Sequence, residues 1–519
     1  MTMRLVSKAK LFALTLLMGG ATVDANAATV TVDPNAGVNT PGVTYLSIIG
    51  AMDNLTQVAG PGGGHGWGNG VNDTILLVST AVHFVTDEIS ASPYNPDFTP
   101  PIAPPPDTTE LTVRSAGPGN AILRFKPNFT GQQRVWDIET PGTYLFENIT
   151  HIGSIDLGFS DPLAADYRTV FRVDADNPGD LIHCTVRNCI VTANNGSEGP
   201  RTDYGGAFPA GRAGTFMRAF YNGDGTHEGA FSFVAENCVF AFLANNADLG
   251  ISGIGSGQGG GIEVFREDAL ANFFTPNATK EVIFRNCLLA NCLDEGVAID
   301  GASHEATLTF EDCLLTNVND RILKLPNEGD SAWRGGHYNF VHTIIEAASN
   351  AIRNPGSRTF DGTINLDEVT IVNPGVDAIL LTNQNPGEAT FTFSDVIAFG
   401  VNSILRLQPD PGANSGPAPA VLTASSIASD AAVLGSQAAS VQTTINAAVV
   451  TTDSPNFQNT NIAGAINGIT SWSSVANELF DVGNNDYAGL GTSNIDLRGG
   501  ADFIFTVPPQ SVEDWKLYE

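Results

Sequence analysis

Cations are what this chain has least of: 24 Lys and Arg stand against 55 Asp and Glu among 519 residues, for a formal net charge of −31 at pH 7. A surface that negative repels phosphate backbones and anionic headgroups, which excludes nucleic acid and acidic membranes as partners. The surplus carboxylates favour solubility outside the cell, and most of them need no other role. Beyond the N-terminus there is no run of about 20 apolar residues, so no helix is expected to insert in a bilayer. Cysteine is sparse too. There are six, with no C-x-x-C pair and no His-rich spacing beside them, which argues against a metal centre built on thiolates.

The N-terminus does carry an apolar stretch, but a short one. Arg4, Lys8 and Lys10 precede Leu11 to Met18, and Ala25-Asn26-Ala27 forms a small-x-small cleavage site. That order reads as a secretory signal over residues 1–27, with a mature chain starting near Ala28 and a secreted or cell-surface location.

The strongest signal is a repeat. Aligned on Asn-Cys and related dipeptides, Ile149, Cys189, Cys238, Cys287, Cys313, Thr343, Val369 and Val396 occupy one position in successive copies, spaced by 40, 49, 49, 26, 30, 26 and 27 residues. Three places earlier stands an apolar column of Phe146, Val186, Ala235, Phe284, Phe310, Phe340, Leu366 and Phe393. A second register follows once per copy. It runs through Val170-Phe171-Arg172, Phe216-Met217-Arg218, Val264-Phe265-Arg266 and Ala298-Ile299-Asp300, then Leu323-Lys324, Ile352-Arg353, Ile379-Leu380 and Leu405-Arg406. Copies of about 26 residues, rich in Val, Ile, Phe and Thr, are too short for paired helices and suit coils of short strands stacked about 4.8 Å apart. The expected fold class is all-β, a solenoid whose equivalent residues form ladders along its axis. The four column cysteines then read as small buried hydrophobes in a ladder of free thiols, with disulfides between adjacent coils as the competing account. Cys184 and Cys292 fall outside that column.

The coil Phe284-Arg285-Asn286-Cys287-Leu288-Leu289, followed by Gly296-Val297-Ala298-Ile299-Asp300-Gly301, resembles those of the right-handed parallel β-helix proteins of the pectin-lyase-like superfamily, of the secreted bacterial type. The lead-in is similar as well, with Tyr45 to Leu55 as a short apolar helix and Asp73 to Val78 and Leu111 to Val113 as strands ahead of Gly117-Pro118-Gly119. The resemblance implies an N-terminal helical cap over residues 28–70, the parallel β-helix over 71–450 and a C-terminal capping segment over 451–507; such caps cover open strand edges. Residues 508–519, set off by Pro508-Pro509 and carrying Trp515 and Tyr518, are either a packed terminus or a sorting or docking tag. Polysaccharide is the partner this family implies. Its hydrolase signatures are missing here: Gly64-His65-Gly66 lies near the N-terminus, and Arg321-Ile322-Leu323-Lys324 has a residue inserted in Arg-Ile-Lys.

Coil length marks where function would sit. Copies before Cys287 take 40 to 49 residues and later ones 26 to 30, the excess falling at Ser154 to Arg168, Asn194 to Gly214 and Ala244 to Gly260. Stacking would set these inserts side by side as a wall of loops on a rigid scaffold. In the triplets, alternation puts Phe171, Met217, Phe265 and Ile299 inward, and Arg172, Arg218, Arg266, Asp300, Lys324, Arg353, Leu380 and Arg406 outward. Arg forks match the carboxylates or sulfates of an acidic glycan, so Arg172, Arg218 and Arg266, beside the loops, are the expected substrate-binding residues. The competing account pairs each Arg with a nearby Asp174, Glu267 or Asp268.

Were the protein a polysaccharide lyase, Arg218 or Arg266 would neutralise a uronate while Tyr204, Tyr221 or His227 took its proton. A glycoside hydrolase needs a carboxylate pair, and no aligned Asp pair appears between Arg172 and Arg266. Asp174, Asp176 and Asp180 alternate as in a calcium loop but without its full ligand set; a plain acidic turn is the competing account, and calcium is the one cofactor the sequence suggests. The functional expectation is an extracellular or cell-surface protein binding polysaccharide along an Arg ladder. The alternatives are a lyase or hydrolase with its site under the loops, and a self-associating structural surface protein or filament subunit.

Overall fold

The computed structural model describes residues 29–55, 73–85, 89–90, 110–125, 134–139, 141–152, 169–173, 175, 179–192, 218–221, 229–241, 260–266, 279–290, 295–301, 305–316, 318, 321–325, 335–347, 349–354, 359–372, 376–384, 386–409, 417–430 and 438–452. Within them the chain winds as a parallel β-helix, its strands divided between a 23-stranded and a 10-stranded sheet. One coil shows the plan: Lys280–Arg285 and Leu288–Ala290 lie in the larger sheet, and Glu295–Gly301 lies in the smaller. The next coil repeats it with Ala306–Glu311, Leu314–Thr316 and Leu323–Lys324, each pairing in parallel with its predecessor. A right-handed path is the hand that strand twist favours for such parallel crossovers. The all-β parallel β-helix read from the repeat is the architecture found.

The apolar column is in register throughout. Phe146, Val186, Ala235, Phe284, Phe310, Phe340, Leu366 and Phe393 are successive partners, every one buried. Phe310 stacks face to face on Phe284 and on Phe340, with ring centroids 5.1 and 5.2 Å apart.

A single residue turns each coil from its first strand to its second. Asn148, Asn188, Asn237, Asn286, Asp312, His342, Glu368, Asp395 and Ser426 all have φ between 47° and 57°. Left-handed backbone costs most residues about 1–2 kcal/mol, and Asn and Asp bear it best. The Asn of each Asn-Cys pair is therefore a backbone requirement, and its amide also links coils: Asn188 Nδ2 donates to Asn148 Oδ1 at 3.1 Å and Asn237 Nδ2 to Asn188 Oδ1 at 3.3 Å. Ser426-Ile427 extends the series one coil past Asp395-Val396. Replacing Asn286 by Val should lower stability by about 1–2 kcal/mol, and by Gly much less. Equal shifts of the denaturant midpoint for the two variants would show that backbone conformation does not select Asn there.

Behind each corner the column cysteines are free and buried, as is Cys184. Each thiol points at a carbonyl of the preceding coil: Cys189 at Phe146, Cys238 at Val186, Cys287 at Ala235 and Cys313 at Phe284, with Sγ to O distances of 3.6, 3.4, 3.4 and 3.3 Å. Thr343 Oγ1 makes the same contact to Phe310 O at 3.3 Å, which explains why Thr can follow Cys in the column. Burial pushes the Cys189 and Cys287 thiols well above their usual range, so both stay protonated. Cys292 lies outside the described residues.

The ends depart from the reading in detail. Tyr45 belongs to a two-residue strand, Thr44–Tyr45, paired with Thr31–Val32, so helix α1 spans only Ile48–Leu55. Ile48, Ala51 and Met52 of α1 join the core. At the other end, after Val421–Ser429, a second helix α2 spans Ala439–Ala448 and buries Val441, Ile445 and Ala448. The Ala-Ser-Thr composition hides α2 in the sequence, because only those three positions carry its apolar face. Residues 1–27, nearly all of 451–507 and 508–519 lie outside the described residues. Among the described residues no helix is long and apolar enough to cross a membrane.

Candidate functional site

Pairing fixes the membership of two adjacent columns of the smaller sheet, an apolar one and the one beside it. Trp136, Phe171, Phe220, Ile262, Val297, Leu323, Ile352, Ile379 and Leu405 are successive partners on one side of its strands. The residue after each forms the neighbouring column: Asp137, Arg172, Tyr221, Glu263, Ala298, Lys324, Arg353, Leu380 and Arg406.

This corrects the expected Arg ladder in its first half. Arg218 pairs with Thr169 and Arg266 with Gly301, so neither stacks on Arg172. Phe220, Ile262 and Val297 take the places assigned to Met217, Phe265 and Ile299. Ile262 and Val297 are fully buried. Arg172 is itself buried, 4% exposed, and donates to Asp137 Oδ1 at 2.9 Å and to Glu139. It is an ion-paired residue of the scaffold with partners one coil back; Asp174, Glu267 and Asp268, the neighbours named as competing partners, lie outside the described residues.

Tyr204, His227, Asp174 and Asp176 lie outside the described residues, as do the inserts at 154–168 and 194–214 and nearly all of 244–260. Tyr221 has its place in the column through its backbone, next to Arg172 and Glu263. Asp180 precedes the strand Leu181–Arg187, and its carbonyl accepts from Ala230 N at 2.9 Å. Among the described residues no group of three His, Cys, Asp or Glu is placed to hold a metal ion.

In the last four coils the basic register stands as read. Lys324, Arg353, Leu380 and Arg406 are successive partners. Two acids that the sequence reading passed over serve this column. Glu295, buried, takes Lys324 Nζ at 3.2 Å and Arg321 Nη2 at 3.5 Å on its Oε1. Asp377, also buried, takes Arg406 Nη1 at 3.2 Å on Oδ2 and Ser403 Oγ at 2.8 Å on Oδ1. Each acid stands three places before the column in the coil ahead of its cation, a pattern visible once the register is known. At the equivalent place ahead of Arg353 stands Arg321, a second cation. Arg353, half-buried, accordingly meets no carboxylate among the described residues, and its Nε has no hydrogen-bond partner.

The larger sheet shows the contrast. Arg114, Glu147, Arg187, Glu236, Arg285 and Glu311 are successive partners, alternating in sign. Arg187 and Arg285 both reach Glu236 at 3.0 Å, and Arg285 Nε reaches Glu311 at 2.8 Å. The hydrogen bond that Arg285 donates to Glu311 is the main reason the Arg285 pKa is raised. Those cations are spent on the scaffold, whereas Arg353 has no such carboxylate among the described residues.

No family model matches the chain, and no curated protein matches it. Among solved structures, it is similar to the A-module of a mannuronan C-5 epimerase from Azotobacter vinelandii, with 9% identity, a TM-score of 0.37, and coverage of 70% of this chain and 90% of that one. It is also similar to the catalytic unit of a thermostable GH87 α-1,3-glucanase from Streptomyces thermodiastaticus, with 11% identity, a TM-score of 0.31, and coverage of 70% and 64% respectively. At these values neither supplies a residue correspondence for the column.

Proposed function

We propose that the protein is an exported or cell-surface β-helix that binds an acidic polysaccharide along the outer face of its smaller sheet, with Arg353 as the principal contact. The observation that carries this reading is that Arg353 meets no carboxylate among the described residues, and its Nε no hydrogen-bond acceptor, in a column where Arg172, Lys324 and Arg406 all have carboxylates. In a chain of net charge −31, a half-buried cation left without a carboxylate is poorly explained by the scaffold and well suited to an incoming anion. Glu295 and Asp377 hold the flanking cations in place, so the surface is preorganised along the axis.

The test is affinity for pectate, alginate and glycosaminoglycan chains, measured by calorimetry. Arg353→Ala should weaken the bound glycan about tenfold or more, the range of a charge-assisted hydrogen bond, whereas Arg285→Ala should leave affinity unchanged. Absence of binding to every acidic glycan, or equal losses from the two variants, would overturn the assignment.

A further inference from the structure

The proposed site is not uniformly basic, and its pattern has a period. The accessible column runs Arg353, Leu380, Arg406, one residue per coil and all three half-buried, while Lys324 ahead of them is buried against Glu295. Coils stack about 4.8 Å apart, so the backbone positions of the two arginines stand about 10 Å apart with an aliphatic residue midway. A pyranose advances a glycan by close to one coil. Successive sugars lying along the axis would therefore meet a cation, an apolar surface and a cation.

Resting on the polysaccharide reading above, we infer that the ligand is a glycan with a carboxylate on alternate sugars and a neutral sugar between, rather than a homopolymer charged at every residue. The C–H face of a neutral sugar packs on Leu380. A uronate there would lose hydration to a group that offers no donor. Arg406 keeps donors for a ligand, because a guanidinium has five and Asp377 engages Nη1. The overall charge acts in the same direction: at −31, every ligand anion not met by a cation is repelled.

The experiment compares length-matched hyaluronan and oligogalacturonate, with chitin oligosaccharide as the neutral control. Hyaluronan should bind the wild-type protein at least about tenfold more tightly than oligogalacturonate, and Leu380→Arg should reverse the order by supplying the missing cation. Leu380→Gln, which adds no charge, should weaken hyaluronan a few-fold and keeps the test open if the Arg variant does not fold. Oligogalacturonate bound as tightly as hyaluronan, with both still dependent on Arg353, would overturn the alternation and leave the site standing. No binding of either acidic chain, or equal binding of the neutral one, would remove the polysaccharide site itself.

Discussion

Phe310→Asp is expected to destabilise the helix by more than about 4 kcal/mol. Phe310 is 1% exposed and lies between two parallel rings, so the substitution removes both stacking faces and leaves a carboxylate with no donor beside it. Each coil of a solenoid rests on its two neighbours, so losing one column member weakens both interfaces at once. Phe310→Leu, which keeps the volume apolar, should cost about 1.5 kcal/mol or less. Denaturant unfolding and protease resistance would show the difference. A wild-type midpoint for the Asp variant would mean that Phe310 is not in the stack.

Acid should destabilise the protein through His151. Trp136 Nε1 can only donate, and it donates to His151 Nε2 at 3.0 Å, so that nitrogen is an acceptor and the ring is neutral. Phe171 meets the imidazole edge-on, with centroids 5.1 Å apart. Burial is the main cause that pushes the His151 pKa down to about 3, from an ordinary value of 6.5. The folded-state value is depressed, so above the unfolded value of 6.5 the stability is fully present. As pH falls below that, the unfolded chain takes up a proton that the folded chain refuses, and stability is lost down to the folded pKa. By about pH 3.5 the loss is of the order of 4 kcal/mol. His83, whose Nε2 lies 3.0 Å from Val78 O, is lowered by burial too and acts in the same direction. His151→Gln keeps an acceptor for Trp136 without titrating. It should remove most of the loss between neutral pH and about pH 4, and identical pH profiles for the two proteins would refute the assignment.

Glu295 and Asp377 show why half of the candidate site is not legible in the sequence. Each is an acid in an acidic chain, and nothing local marks it as different from the many solvated carboxylates. What distinguishes them is burial beneath Lys324 and Arg406 of a later coil, a contact across 29 residues that only the register creates. The misplaced Arg218 and Arg266 teach the same point from the other side. Their triplets look like that of Arg172, yet strand pairing is decided by which apolar residues fill the interior, and a three-residue slide moves an arginine out of the column at no cost visible in composition.

Corner and core were legible because each copy repeats its own local requirement. A left-handed residue favours Asn or Asp, the residue after it must be small enough to stack, and the position three places before Cys must be apolar. Those constraints act within a few residues and recur in every coil, so the parallel β-helix and its larger sheet follow from the chain alone. The smaller sheet obeys no such corner rule. Long inserts precede its strands in the early coils, its alignment is set by packing against the rest of the coil, and its ion pairs join residues from different turns. Which cations of the smaller sheet find carboxylates on the scaffold was therefore decided by tertiary structure.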